Sequence, residues 1–358
     1  MEDARFTALG LSGSGKTCYV LGMYYEMCVG VRGFTISTQN STSAKLDRWM
    51  DKLDDEIGPD RFPAGTDTTT VEDYRFNLNS KGEYIMTFDW LDYAGGMLQS
   101  KDEGSEVFTE IQNSIWQSAA LYVFLDGEDL CHEDYSEKLK SLRRKTRKIS
   151  NYINNFDADT GKTLPPVVFV VTKSDLCAPY LKQGELEQIV HDLFSGVYDS
   201  GLTYITMVSL GRALADDDYS GEVEPINIQT PFFIGIYHEF LKRCIGLKYQ
   251  ILQANDQNRE RITQMQRENT EIANRNVFQR LIHGNGESDR SYNNATIEEA
   301  KQNIESNLGL LSKYKRLMGT VMNELQKQHM CGGFYLIQNG RVVQDFDTPS
   351  EVQNFLYD

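Results

Sequence analysis

Apolar and polar positions along the chain fall into two regimes. Over residues 1–246, short apolar runs alternate with stretches of helical periodicity. Residues 119–125 (Ala-Ala-Leu-Tyr-Val-Phe-Leu) and 166–171 (Pro-Val-Val-Phe-Val-Val) are continuous apolar runs, the pattern of strands buried on both faces of a parallel sheet. Residues 5–9, 33–38 and 202–208 read as further strands. Residues 71–78 and 84–91 are joined by Asn79-Ser-Lys-Gly-Glu83, a hairpin-length link that predicts an antiparallel pair. Apolar residues at helical spacing, such as Leu46, Trp49, Met50 and Leu53, predict a helix over 43–57. Further helices are predicted over 16–27, 105–118, 134–155, 184–197 and 229–245. This alternation predicts an α/β fold on a mostly parallel sheet with one antiparallel strand.

Beyond Lys248 the pattern changes. Residues 250–282 are rich in Gln, Asn, Arg and Glu, with sparse apolar positions at Ile262, Met265 and Ile272. Residues 283–294 read as an exposed loop. A heptad follows, with Ile297, Ile304, Leu311, Met318 and Leu325 every seventh residue and Ala300, Asn307, Tyr314 and Val321 three positions later. Two helices around a polar loop predict an antiparallel, coiled-coil-like hairpin or arm. Its stripe is covered within the hairpin, or binds a partner helix or a second copy. Near the end, Asn339-Gly340 lies between two β-type runs, a strong hairpin signal. The shifts predict three parts: 1–246, a helical arm over 247–330, and a small β-hairpin and helix element over 331–358.

Charge narrows the partners. Asp and Glu number 52 against 36 Lys and Arg, a net charge of −16. That balance argues against nucleic acid and anionic lipid as partners. No run approaches the ~18 apolar residues that a spanning helix needs, so membrane insertion is not expected. The first residues are charged and unlike a secretory signal. Six cysteines without a C-x-x-C pair read as reduced thiols, which suits a cytoplasmic protein. The five histidines are scattered and suggest no zinc site.

The chemistry begins at Gly10-Leu-Ser-Gly-Ser-Gly15-Lys16-Thr17, which satisfies G-x-x-x-x-G-K-[ST] between a predicted strand and a predicted helix. Its glycines let backbone N–H groups turn toward phosphate oxygens, and the helix N-terminus adds its dipole. The phosphate cradle comprises Gly10, Ser12, Gly13, Ser14, Gly15, Lys16, Thr17 and Cys18. Lys16 would neutralise charge between the β- and γ-phosphates, and the Thr17 hydroxyl would ligate Mg²⁺.

Two later motifs refine this. Asp92-Tyr-Ala-Gly95 ends a predicted strand, where a carboxylate can hold Mg²⁺ and a glycine can approach a γ-phosphate. Asp89 competes as the strand-end acid; Asp92 is preferred because it carries the glycine. Thr172-Lys173-Ser174-Asp175 follows the 166–171 strand and is similar to the [NT]-K-x-D guanine-recognition motif. A carboxylate accepts two hydrogen bonds from guanine N1–H and its amine, whereas adenine leaves it unpaired. The Lys173 stem can cover the base plane.

In their order and on their strands, these motifs resemble the translation-factor-related (TRAFAC) class of P-loop GTPases, over residues 1–245. Within it the chain resembles the bacterial double-GTPase families, though one GTPase domain is visible. The resemblance implies a P-loop NTPase three-layer sandwich, GTP/GDP and Mg²⁺ as cofactors, and Mg²⁺-dependent GTP hydrolysis acting as a switch on a protein partner. It implies that Ser209 and Leu210 approach the base, and that a switch threonine among Thr66, Thr68, Thr69 and Thr70 completes the metal site. Thr66 is chosen and, with Lys16, is the implied catalytic residue. Many such GTPases carry glutamine after D-x-x-G to orient water; here Gly96 stands there. The function then falls to Ser12, Gln99 or Arg61, to a partner's arginine, or to self-association through the GTPase face or the arm. Three alternatives remain: a GTP-binding scaffold with little turnover, a P-loop ATPase or kinase, and an interaction protein whose nucleotide is structural.

Overall fold

The computed structural model describes residues 3–63, 71–97, 106–154, 164–212, 214, 219–274 and 287–357. In chain order the elements are β1 (Ala4–Leu9), α1 (Lys16–Val29), β2 (Phe34–Thr38), α2 (Asn40–Asp55), β3 (Val71–Ser80) and β4 (Glu83–Tyr93). There follow α3 (Glu106–Gln117), β5 (Ala120–Leu125), α4 (Tyr135–Asn154), β6 (Val167–Val171), α5 (Ser174–Cys177), α6 (Glu185–Ser200) and β7 (Leu202–Met207). The last are α7 (Gln229–Ala273), α8 (Glu287–Met330), β8 (Phe334–Gln338), β9 (Arg341–Val343) and α9 (Ser350–Tyr357). The chain divides into two compact units, Met1–Glu239 with Val321–Asp347, and Phe240–Thr320 with Thr348–Asp358.

The described strands form one sheet in the order β2-β3-β4-β1-β5-β6-β7-β8-β9. β4, β1, β5, β6 and β7 run parallel. Two strands oppose them where one was expected: β3 pairs antiparallel with β2 and β4, and β8 with β7 and β9. β8 is the addition. The hairpin predicted at its turn is present, with Asn339 and Gly340 both at positive φ (49° and 74°), the backbone of a tight primed turn. It does not stand apart: β8 zips onto β7 from Leu202↔Gln338 to Thr206↔Phe334 and extends the sheet.

Alternation along the central strands builds a core on each sheet face. On one, Phe6, Phe88, Trp90, Tyr122 and Phe124 are buried and meet Tyr19 of α1 and Phe232 of α7 through ring contacts of 4.6–6.2 Å. On the other, Leu121, Val123, Val167, Phe169 and Ile205 pack with Ile111 of α3, Ile149 of α4 and Ile189 of α6. Helices therefore cover both faces, in three layers. Each fully buried large apolar side chain contributes about 2 kcal/mol. The loops after β1, β4, β5, β6 and β7 emerge at the carboxyl edge of the parallel strands, where open α/β sheets bind ligands.

In the second unit, α7 and α8 run antiparallel. Arg243 Nη1 donates to the Tyr314 hydroxyl at 3.3 Å, and Asn269 donates to Asn294 at 3.0 Å. The heptad positions Leu311, Tyr314 and Met318 are buried there, while Ile297 and Ile304 are half-buried.

Candidate functional site

The 10–15 loop turns directly from β1 into α1. Gly15 caps the helix at φ 79°, a left-handed conformation that a side chain would resist. Lys16 folds back, its Nζ donating to the Gly10 carbonyl at 2.9 Å and to Leu11 at 3.3 Å. The parallel register places Asp92 beside Ala8, so the end of β4 meets the first turn of α1. Thr17 Oγ1 donates to Asp92 Oδ2 at 2.9 Å, and Lys16 Nζ lies 3.8 Å from Asp92 Oδ1.

This group is short of partners. Asp92 is fully buried and its Oδ1 accepts no hydrogen bond among the described residues. Burial raises the Asp92 pKa against the pull of Lys16 and Thr17, and lowers that of Lys16 against the pull of Asp92. Both shifts favour the neutral forms. The Ser14 hydroxyl is also buried without a partner. Asp89, the competing strand-end acid, likewise has a buried Oδ1 without a hydrogen bond among the described residues, but its ion pair at 3.3 Å is with Arg75 rather than with Lys16. Gly95 presses on the loop so closely that a Cβ there would lie 2.1 Å from the Ser12 nitrogen.

A second cluster forms after β6 and β7. Thr172 Oγ1 donates to the Ser14 carbonyl at 3.0 Å, which ties this cluster to the first loop. Lys173 adopts a left-handed φ of 51° and its ammonium reaches Glu128 at 2.9 Å and Asp126 at 3.1 Å. Burial lowers its pKa, but the two carboxylates more than offset this and leave it raised. Asp175 accepts from Ser209 Oγ at 2.6 Å, and Ser209 Oγ accepts from the Gly211 N–H at 3.1 Å. Leu210 packs on α1, where a Cβ on Gly22 would come within 2.4 Å of it.

One cavity of about 400 Å³ joins the clusters. It is lined by Ser12, Gly13, Ser14, Gly15, Lys16, Thr17, Cys18 and Gly95 of the first cluster, and by Thr172, Lys173, Asp175, Ser209 and Leu210 of the second. Burial pushes the Cys18 thiol up to about 11, which keeps it protonated near neutrality. Gly10 and Asp92 sit behind the lining, against Lys16. Thr66, Thr68, Thr69, Thr70 and Gln99 lie outside the described residues.

Sequence reasoning missed part of the wall: Phe62, Pro63, Glu128, Tyr219 and Ile228 also line the cavity. Phe62 and Pro63 belong to the Phe62-Pro-Ala-Gly-Thr66 stretch on which the choice of Thr66 rests, but are not themselves expected at the site; no local motif marks Glu128, Tyr219 or Ile228, which come from other segments. Arg61 is reassigned. Its Nη1 donates to the carbonyls of Tyr219 (2.7 Å) and Gly221 (2.8 Å) and its Nη2 to that of Leu53, while Nε is buried without a hydrogen-bond partner among the described residues, so both terminal nitrogens are held by backbone.

No protein-family model matches the chain, and no curated protein matches it significantly. No described helix is long and apolar enough to cross a membrane.

Proposed function

We propose that the chain is a guanine-nucleotide-binding P-loop protein of the TRAFAC GTPase class, resembling the bacterial double-GTPase families, and that it hydrolyses GTP slowly as a Mg²⁺-dependent switch on a protein partner. The supporting observation is the convergence of three motifs, separated by up to 165 residues between Gly10 and Asp175, on one cavity. Its volume lies within the range of small-ligand sites, about 300–1,000 Å³.

The residues divide the work. The 12–17 backbone and the α1 N-terminus would bind the phosphates. Lys16 would exchange its carbonyl partners for phosphate oxygens. Asp175, held by Ser209, would read the guanine edge, with the Lys173 stem along the base. The Thr17 hydroxyl and Asp92 Oδ1, which accepts no hydrogen bond among the described residues, fit a divalent cation, which would add to the charge that Lys16 supplies at 3.8 Å. When bound, Mg²⁺ supplies charge neutralisation at the phosphates. Gly95 would meet the γ-phosphate through its N–H.

Gly96 favours a second reading, a GTP-binding scaffold with little turnover, because no side chain there orients water. Titration calorimetry with GTP, GDP and ATP, with and without Mg²⁺, tests the proposal. Guanine-selective, Mg²⁺-dependent binding supports it; equal binding of ATP moves the assignment to an ATPase, and no binding leaves an interaction protein.

A further inference from the structure

The wall that sequence reasoning missed has its own architecture. Phe62 follows the turn Pro59–Arg61, and Tyr219 lies after β7, 157 positions later in the chain. Their rings meet edge-to-face with centroids 6.1 Å apart, and both residues line the cavity half-buried. Tyr219 is held at φ 51°, a left-handed backbone that a bulky residue adopts only when its surroundings impose it. Arg61 contacts this backbone directly. It is 3% exposed, and one guanidinium nitrogen bonds the carbonyls of both Tyr219 and Gly221. Nη2 bonds Leu53 near the end of α2, and Nε is buried without a hydrogen-bond partner among the described residues.

We propose that Phe62 and Tyr219 cover the nucleoside in this cavity, and that Arg61 is the positioning residue that joins their two loops into one wall. The inference rests on the guanine-nucleotide reading above and adds to it the residues that set how long the nucleotide stays. The 12–17 loop addresses phosphate charge and Asp175 addresses the polar edge of the base. Neither covers the apolar faces of a purine and its ribose. Lys173 brings a stem from the loop after β6, and the aromatic pair supplies an apolar surface built from other loops. Aromatic rings suit that task because every base has a π-face, so they add retention without selecting the base.

The test is the release rate of a fluorescent N-methylanthraniloyl-GDP from the full chain, chased with excess GDP. Phe62→Ala and Tyr219→Ala should each speed release about tenfold. Tyr219→Phe, which keeps the ring, should stay within about twofold of the wild type. The guanine-over-adenine ratio should not change in any of them. Arg61→Ala should release as fast as Tyr219→Ala, and the double variant no faster than the faster single one, since both remove one wall. Arg61→Lys, which cannot span three carbonyls, should behave alike and serves where Arg61→Ala does not fold. Unchanged release in both ring deletions overturns the inference and leaves the nucleotide reading standing. A lower melting temperature in the Arg61 variants with unchanged release assigns Arg61 to the fold alone and overturns its role here. A wild type that binds no guanine nucleotide removes both.

Discussion

Ser209 Oγ donates to the Asp175 carboxylate at 2.6 Å, joining the loop after β7 to the loop after β6. The contact fixes the direction of an acid that is otherwise half-exposed. In Ser209→Ala that orientation is lost. Hydrogen bonds to charged groups are worth about 1.5–3 kcal/mol, so GDP affinity should fall roughly tenfold or more. Guanine preference should narrow but persist, because the carboxylate remains. Calorimetry on the two proteins checks this, and equal affinities would show that the contact does not prepare Asp175 for a ligand.

Among the described residues, Asp92 Oδ1 is buried without a hydrogen-bond partner while Oδ2 takes the Thr17 hydroxyl. If a divalent cation completes this group, chelation should weaken GDP binding in the wild type by about tenfold or more. Thr17→Ala in Mg²⁺ should match the wild type in EDTA, and adding EDTA to that variant should change little. A chelator effect of the same size in both proteins would place the metal elsewhere.

Gly96 offers no group to orient an attacking water, and Arg61 is bound to backbone. Single-turnover GTP hydrolysis by the chain alone should therefore be slow, on the order of 10⁻⁴ per second or below, the intrinsic rate of GTPases without an arginine finger. Rapid-quench measurement of phosphate release checks it. A rate above about 1 per second would mean that this chain holds a water-orienting residue of its own.

The buried pair His238 and Tyr204 sets an acid limit on stability. Tyr204 Oη lies 2.8 Å from His238 Nε2, and burial lowers the histidine pKa from 6.5 to about 3. The unfolded chain thus takes up a proton near pH 6.5 that the native chain refuses until about pH 3. The stability from the neutral ring is complete above pH 6.5 and is lost progressively as pH falls between those values. At about 1.4 kcal/mol per pH unit, lowering the pH from about 6.5 to 5 costs roughly 2 kcal/mol. Urea midpoints at pH 7 and 5 should drop further in the wild type than in His238→Gln. Equal drops would contradict the assignment.

Much of this was legible in the sequence, for reasons of range. β5 and β6 are apolar runs that no other element explains, and the Asn339-Gly340 turn carries its own backbone requirement. The 10–17 loop is equally local, since its glycines, lysine and threonine are consecutive. What was not legible depends on which distant segments meet. The docking of β8 on β7 is a pairing choice with no local signal, and it turned an expected separate hairpin into part of the sheet. α7 runs from Gln229 to Ala273 and joins the helix predicted to end near residue 245 to the first helix of the predicted hairpin, a continuity that no residue between them marks. Arg61 stood in sequence as one candidate for the missing water-positioning group; only its burial among carbonyls shows its occupation. Tyr219 had no motif at all.

The central claim is that Asp175 reads guanine in the cavity built on the 10–17 loop. The most direct measurement is competition of GTP, GDP and ATP for labelled GTP in Mg²⁺, on the wild type and on Asp175→Ala. Guanine nucleotides should compete in the wild type at least about a hundredfold better than ATP, and Asp175→Ala should lose most of that margin while still binding phosphate. ATP competing as well as GTP in the wild type, or an undiminished margin in the variant, would contradict the account.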